Sequence, residues 1–489
     1  MHIHVVAVAG AGMGSLAGLL AELGHTVSGS DVAFDPPIGP ALAGWGVKTM
    51  EGFDPAHLVP RPDLVVIGNV CRKDNPEARA AIDGGLPYTH IAGALSDLAL
   101  SGTRPLVVAG THGKTTTTAL AAWLLEGSGR KPGFLVGGIP GNFGKSFRAP
   151  RRKLPLAAEG AAGDRPPFVL EGDEYDTAFF EKSAKFLHYP AEVAIVTSIE
   201  HDHVDIYPTA EAYRDAFRRF VAKIPPSGLI VANANDPVVV EVVTSAARAD
   251  VAWYAVEGDS FHGTAPRWLG APAGSDARGT AFDLYAGGVA AGRLVVPLAG
   301  RHNVSNTVAA IGAVVEGYGV KIHELVRPLS AFAGVKRRQE VLGEPRGITV
   351  IDDFAHHPTA VRETLAALRS RYAGRRLIAV FEPRSATACR AMHQEQYTQS
   401  FDAADEVLLA PLGRRGITGE MLDTERLAGD LRARGKIATA YPDVDSILRD
   451  LVERSRTGDV IALLSNGAFG GIHGRLLRAL GKDRAAARA

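Results

Sequence analysis

The sequence predicts an α/β protein of three domains, and three observations carry that prediction. Short apolar runs alternate with helical stretches along the chain, the pattern of parallel sheets with crossover helices. Glycine-rich turns follow two early strands and open helices. A length of 489 residues suits about three domains. The first block, 1–103, opens with a strand from His4 to Ala9, then Gly10-Ala-Gly12-Met13-Gly14 and a helix through Leu23. A second strand, Thr26 to Ser30, ends at Asp31, and Asp63 to Gly68 holds a later buried strand.

The second block, 104–333, begins with the strand-like run Leu106 to Ala109 and holds strands at 168–170, 193–197 and 229–232. A polar insertion from Arg148 to Pro167 reads as a surface loop, and glycines spaced through 258–292 suggest a β-rich appendage. The third block, 334–489, offers strands at 349–351, 377–381, 406–409 and 460–464. Its charged, alanine-rich tail from Gly481 reads as frayed.

Composition narrows the function. With 53 basic and 53 acidic residues the net charge is zero, so no footprint for nucleic acid or an anionic membrane surface exists. The two cysteines, Cys71 and Cys389, give neither a disulfide framework nor a metal-ligand spacing. No apolar run reaches the ~18–20 residues of a membrane span, and no charged leader precedes the first strand. The expectation is a cytoplasmic protein, monomeric or weakly dimeric, acting on small molecules.

The most informative segment is Gly110-Thr111-His112-Gly113-Lys114-Thr115-Thr116, between a strand and a helix. Such a turn aims backbone N–H groups outward at a helix N-terminus, where the dipole favours anions. Lys114 is placed to reach β/γ-phosphates and the Thr115 hydroxyl to ligate Mg²⁺. The strict pattern G-x-x-x-x-G-K-[ST] asks for glycine at position 108, which is Val108. Gly10-x-Gly12-x-Gly14 with Asp31 resembles the dinucleotide fingerprint, although Ser15 stands at its last position. An ordinary βα turn, a nucleotide-sugar diphosphate site and an NAD site all remain open for it.

Two acidic strand ends belong to the second block. Glu171-Gly-Asp-Glu174-Tyr-Asp176 follows one buried strand and Glu200-His-Asp-His203-Val-Asp205 another. Each alone reads as a solvated loop; flanking one phosphate loop, both read as cation ligands. Asn303 and Asn306 share a helix face, suited either to an adenine edge or, at Asn303, to helix capping. Lys336-Arg337-Arg338 reads by default as a solvated cationic run. Asp352-Asp353-Phe-Ala-His356-His357-Pro358 and Ser465-Asn466-Gly467 through His473 follow buried strands, where a substrate anion is held. Arg384, in Glu-Pro-Arg-Ser, is either a carboxylate clamp or a surface arginine.

Taken in order, the phosphate loop, Glu171, Glu200-His-Asp-His203, His302-Asn303-x-x-Asn306, Arg338 and Asp353 resemble the Mur ligase superfamily over essentially the whole chain. The stretches 137–143, 171–180 and 465–473 are similar to its peptide-adding, cell-wall-recycling members; the alanine-adding members carry Glu-Ser-Asp at 174–176. The resemblance implies a Rossmann-like N-terminal domain, a central P-loop ATPase-like domain and a Rossmann-like C-terminal domain. It implies an ATP- and Mg²⁺-dependent ligase that joins L-alanyl-γ-D-glutamyl-meso-diaminopimelate to UDP-N-acetylmuramate. Lys114, Glu171, His203, Arg338 and Asp353 would then be catalytic, with Thr115, Glu171 and His203 at the metal. ATP would be held by residues 110–116, His302, Asn303, Asn306, Arg338 and Asp353. The UDP-sugar would meet Gly10, Gly12, Met13, Gly14, Asp31, Asn69, His112 and His356. The peptide would meet Arg384, Ser465, Asn466, Gly467 and His473. The alternatives are addition of free L-alanine, an NAD-dependent oxidoreductase, which leaves both acidic edges without a purpose, and a non-catalytic nucleotide-binding regulator.

Overall fold

The structure is a computed structural model, and it describes residues 1–151 and 165–481 except 264, 277, 415, 417 and 418. Residues 152–164 of the expected surface loop and 482–489 of the expected frayed tail lie outside the described residues.

Three largely parallel sheets follow the chain in order. The first is five-stranded and wholly parallel, in the order Val47–Glu51, Thr26–Asp31, His2–Val6, Leu64–Ile67, Tyr88–His90. Its first strand stops at Val6, three residues earlier than its apolar run suggests. Ala7 adopts a left-handed φ of 65°, and the Ala9 N–H donates to the Asp31 carboxylate at 2.9 Å. An apolar run records burial, and residues 7 and 8 are as buried in this turn as in a strand.

The central sheet has ten strands. Arg104–Ala109 lies in its middle, between Pro167–Gly172 and Val193–Val196, all three parallel. Leu229–Asn233, Asp250–Val256 and Trp268–Asp276 continue the parallel order. The expected β-rich appendage is the edge of this same sheet, extended by the antiparallel strands Gly279–Ala286 and Val289–Val296. The last sheet is six-stranded, with Glu340–Gly343 antiparallel at one edge and Thr349–Asp353, Val460–Leu464, Leu377–Phe381, Glu406–Leu409 and Ile437–Ala440 parallel. No helix among the described residues is long and apolar enough to cross a membrane.

The first sheet is joined to the second by aromatic packing. Phe147, on the short edge strand Phe147–Arg148, is only 1% exposed. It lies against helix Ala11–Glu22, where a Cβ on Gly18 would sit 2.2 Å from its ring, and its ring meets Trp45 edge-on at 4.9 Å. Ser15 and Ser146 hydroxyls pair at 2.7 Å beside it. On the other side the hairpin Asp176–Ala178/Glu181–Ala184 carries Phe180 against Tyr88, with centroids 5.1 Å apart. The second contact ties the acidic segment 171–176 to the N-terminal sheet. Because Phe147 is buried across a domain junction, Phe147→Ala is expected to cost about 3–5 kcal/mol. Urea unfolding and limited proteolysis are expected to show the loss first in residues 1–103, with the rest of the chain still resistant.

Candidate functional site

The phosphate loop is built as its sequence demands. Gly110 and Gly113 take φ of +136° and +79°, and helix Lys114–Gly127 starts directly after them. A side chain at Gly110 would strike the Thr197 hydroxyl at 2.1 Å, and one at Gly113 the Asn306 amide at 2.3 Å. Val108 departs from the strict motif for a visible reason: it is a fully buried strand residue paired with Ile195 and Glu171. The loop is fastened to the next strand end, with Thr197 Oγ1 donating to His112 O at 2.6 Å and Thr111 Oγ1 to Glu200 O at 2.9 Å.

Lys114 Nζ donates to the Glu174 carboxylate at 2.9 Å and to Thr111 O at 3.3 Å. Burial opposes its charge, but Glu174 and Asp173 overcome that and hold its pKa above the usual lysine value. Glu174 is 1% exposed and also accepts from His203 Nε2 at 3.0 Å, while Tyr207 OH donates to its backbone carbonyl at 2.7 Å. Burial disfavours the Glu174 carboxylate, yet Lys114 and His203 hold its pKa below the ordinary range. His203 sits at φ 53°, its N–H donating to Asp202 Oδ1 at 2.7 Å. Burial works against its charged ring, and Glu174 and Asp202 outweigh burial to raise its pKa.

Glu171 lies across the loop from these residues. Its carboxylate accepts from Gly137 N–H at 2.6 Å and from Thr115 Oγ1 at 3.2 Å. Burial pushes its carboxyl up in spite of the Gly137 N–H and Lys114. A hydroxyl, the buried Glu174 carboxylate, the half-buried Glu171 carboxylate and one imidazole thus surround the loop. That donor set, mainly oxygen, fits a hard divalent cation.

The C-terminal domain reaches the loop through residues 337–339, where Arg337 and Gln339 both take left-handed φ, 62° and 52°. The alternation turns successive side chains apart. Arg338 donates to Thr115 Oγ1 at 3.2 Å and lies 4.7 Å from the Phe354 ring, whereas Arg337 donates to Ser465 O at 2.7 Å and Gly467 O at 2.8 Å. The reading of this basic run as solvated is therefore corrected for Arg337 and Arg338. Asp353 accepts from the N–H groups of Gln339 and Ala355 at 2.7 and 2.8 Å, so it shapes the turn that delivers Arg338. Burial raises the Asp353 pKa and lowers that of Arg338, each shift opposed by the other group.

A cavity of about 220 Å³ opens beside the loop, lined by Gly113, Thr115, Thr116, His302, Asn306 and Arg338 among others. His302 Nδ1 is buried there without a hydrogen-bond partner among the described residues. Asn303 also lines this cavity; its amide donates to Ala299 O at 2.7 Å and accepts from Asn306 at 3.3 Å. The residue that caps the helix Arg301–Tyr318 is Gly300, which corrects the capping reading of Asn303.

A second cavity, about 360 Å³, lies between Tyr175, His203 and Asp205 on the central domain and Arg384, Arg414 and Asn466 on the C-terminal domain. Arg384 is 41% exposed and only 3.9 Å from Glu382, leaving donors free for a ligand. Asn466 Oδ1 is buried with no partner among the described residues. Of the other expected peptide contacts, Ser465 is fully buried and donates to Glu382 Oε2, and the Gly467 N–H is spent on Ser465 Oγ. His473 Nε2 lies 3.2 Å from Asp352. These three frame the turn and Asn466 faces the cavity.

In the first domain, Gly10 and Gly12 are exposed at the start of helix Ala11–Glu22, with Met13 and Gly14 buried beneath. Asp31 accepts from the N–H groups of Ala9 and Val32 through its two carboxylate oxygens, which fixes the turn below Gly10. Asn69 is exposed beyond Leu64–Ile67. His356 belongs to the C-terminal domain, its Nδ1 3.0 Å from Phe354 O; burial lowers its pKa, opposed by Asp202. Tyr207, Gln339, Glu382 and Arg414 escaped the sequence reading. Among them only Glu382 had a signal, its place two residues before Arg384.

Comparison with known proteins agrees with this layout. Residues 2–103 match the Mur ligase family catalytic domain, 108–314 the Mur ligase middle domain, and 337–467 the Mur ligase glutamate ligase domain. The UDP-N-acetylmuramate–L-alanyl-γ-D-glutamyl-meso-2,6-diaminoheptandioate ligase of Escherichia coli is 37% identical over the whole of both chains. A UDP-N-acetylmuramate–L-alanine ligase of a Roseiflexus species is 35% identical over 96% of each chain. The crystal structure of a murein peptide ligase from Psychrobacter arcticus superposes with a TM-score of 0.73, at 35% identity over 99% of each chain. The UDP-N-acetylmuramate–alanine ligase of Thermotoga maritima, 21% identical, shares the fold with a TM-score of 0.76 over both whole chains. With family matches in all three domains and whole-length relatives above one-third identity, the chain belongs to the Mur ligase family.

Proposed function

We propose that this protein is an ATP-dependent ligase joining the tripeptide L-alanyl-γ-D-glutamyl-meso-diaminopimelate to UDP-N-acetylmuramate. The observation that carries the reading is a pair of cavities, one beside the phosphate loop and one bordered by His203 and lined by two arginines. The second cavity is roomier than an alanine methyl needs, and Arg384 and Arg414 suit the carboxylates a tripeptide carries. We take the domains as 1–103 for the UDP-sugar, 104–333 for ATP and 334–489 for the amine.

The chemistry follows from a leaving-group problem. A carboxylate does not accept an amine at neutral pH, because oxide does not leave. Transfer of the ATP γ-phosphoryl to the lactyl carboxylate oxygen breaks the bond to ADP and forms an acyl phosphate. The peptide amine then adds to the acyl carbon, the C–O bond to phosphate breaks, and the departing phosphate takes the amine proton. Lys114 is positioned to follow charge onto the transferring group, and Arg338 to hold the loop at Thr115 from the other domain. Mg²⁺, when bound, supplies charge neutralisation on the phosphates. Thr115, Glu171 and His203 would hold it, with Glu174 adjacent, a mainly oxygen donor set gathered at the loop that suits a hard cation.

Two outcomes are expected. Lys114→Ala is expected to lower kcat ~10²–10³-fold in a protein with unchanged circular dichroism; near-normal turnover would take the loop out of the mechanism. Phosphate release with UDP-N-acetylmuramate and the tripeptide is expected to run far faster than with L-alanine at equal concentration, and Arg384→Ala to raise the tripeptide KM. A preference for L-alanine would move the protein to the other branch of the family.

A further inference from the structure

One side-chain cluster at the domain junction takes no chemical step in the reaction described above, although it borders the cavity beside the loop. His112 comes from the phosphate loop and Glu200 from the neighbouring strand end. His357 comes from the C-terminal domain, where its Nδ1 accepts from Thr359 N–H at 3.4 Å and caps helix Pro358–Arg371, a long bond that coordination through Nδ1 would replace. Glu200 Oε2 lies 3.5 Å from His112 Nε2 and 3.5 Å from His357 Nδ1, and the ligand atoms of all three residues lie within 4.8 Å of one another. His112 Nε2 is buried with no hydrogen-bond partner among the described residues, and His357 is 6% exposed.

The spacing is long for a hydrogen bond and right for a metal. With ligand bonds of about 2.0–2.2 Å, the edges of a tetrahedron around zinc measure roughly 3.3–3.5 Å. Two edges of the cluster already have that length. The third, between the imidazoles, closes by small ring rotations, since their centroids are 4.8 Å apart. The protonation states also suit a metal, which needs neutral imidazole and ionised carboxylate. Burial pushes the His357 pKa down to about 3. Burial would raise that of Glu200, but His112, His357 and the Thr359 hydroxyl, which donates to Glu200 Oε2 at 2.7 Å across the domain junction, bring it to about 2. Two imidazoles and one carboxylate select a borderline ion over Mg²⁺, unlike the oxygen-rich set at Thr115 and Glu171. His112 and Glu200 also line the cavity beside the loop, so a fourth coordination position would face it.

We propose that His112, Glu200 and His357 form an interdomain site for a divalent ion of the zinc class, and that filling it clamps the C-terminal domain onto the phosphate loop and arrests turnover. Two ligands belong to one domain and one to the other, so the ion binds the closed arrangement better than an open one and shifts the population toward it. The clamp is inhibitory because release of products and entry of the amine require that domain to move.

The test uses the full chain, free of nucleotide and Mg²⁺, titrated with chelator-buffered Zn²⁺ and separately with Co²⁺. The expected result is one ion per chain, Co²⁺ absorption bands of a four- or five-coordinate site, and a smaller radius of gyration by X-ray scattering. Zn²⁺ should inhibit the wild-type ligase over the same concentration range. His357→Asn keeps a cap-forming side chain and is expected to raise the Zn²⁺ Kd at least tenfold, as is Glu200→Gln, while His203→Gln changes it less than twofold. If Glu200→Gln fails to fold, His357→Asn, on the opposite domain, decides alone. Failure to bind Zn²⁺, or an affinity lost with His203→Gln and kept with His357→Asn, would overturn the proposal.

Discussion

The ammonium of Lys114 is largely withdrawn from water, and its partner Glu174 is almost wholly so. A lone buried charge of that kind costs several kcal/mol, so the site exists only because the two are placed together. Their pairing determines much else. Glu174 must sit at the end of the strand next to the phosphate loop, and its second contact, with His203, draws in the next strand end. The hairpin that follows Glu174 carries Phe180 into the N-terminal domain. One ion pair therefore anchors the acidic segment that touches both neighbouring domains. Phosphates arriving at the loop would replace Glu174 as the counter-charge of Lys114, without adding an unpaired charge to the interior.

The C-terminal domain is coupled to this cluster by local backbone strain. Left-handed φ at Arg337 and Gln339, residues that both carry side chains, costs of order 1–3 kcal/mol each. Asp353 offsets part of that by accepting from Gln339 N–H, and Arg337 by bridging two carbonyls of the 465–467 turn. The outcome is one tripeptide segment whose neighbouring arginines serve two places: Arg338 the phosphate loop, Arg337 the turn bearing Asn466. In our account, closure of the domain sets both cavities at once.

The sequence was most legible where a single physical demand shows locally. The strands 377–381, 406–409 and 460–464 coincide with their apolar runs because strands covered on both faces must be apolar throughout. The phosphate loop was legible because glycine, lysine and hydroxyls occur there in sequence. Edge strands such as Ile437–Ala440 were not, since half of their residues face solvent and break the run. Asp31 and Asn303 show the other limit: each side chain also bonds nearby backbone, a local role that their residue types alone do not display. The roles of Arg337 and Glu382 were not legible, because their partners lie 128 and 83 positions away in the chain.

The claim on which the account turns is that a phosphoryl group passes through the sugar's carboxylate. UDP-N-acetylmuramate carrying ¹⁸O in the lactyl carboxylate, incubated with ATP, Mg²⁺ and the tripeptide, tests it directly by mass spectrometry of the released phosphate. One ¹⁸O atom in each phosphate is the predicted result. Phosphate free of ¹⁸O, with amide product formed, would contradict the acyl phosphate and the role given to Lys114.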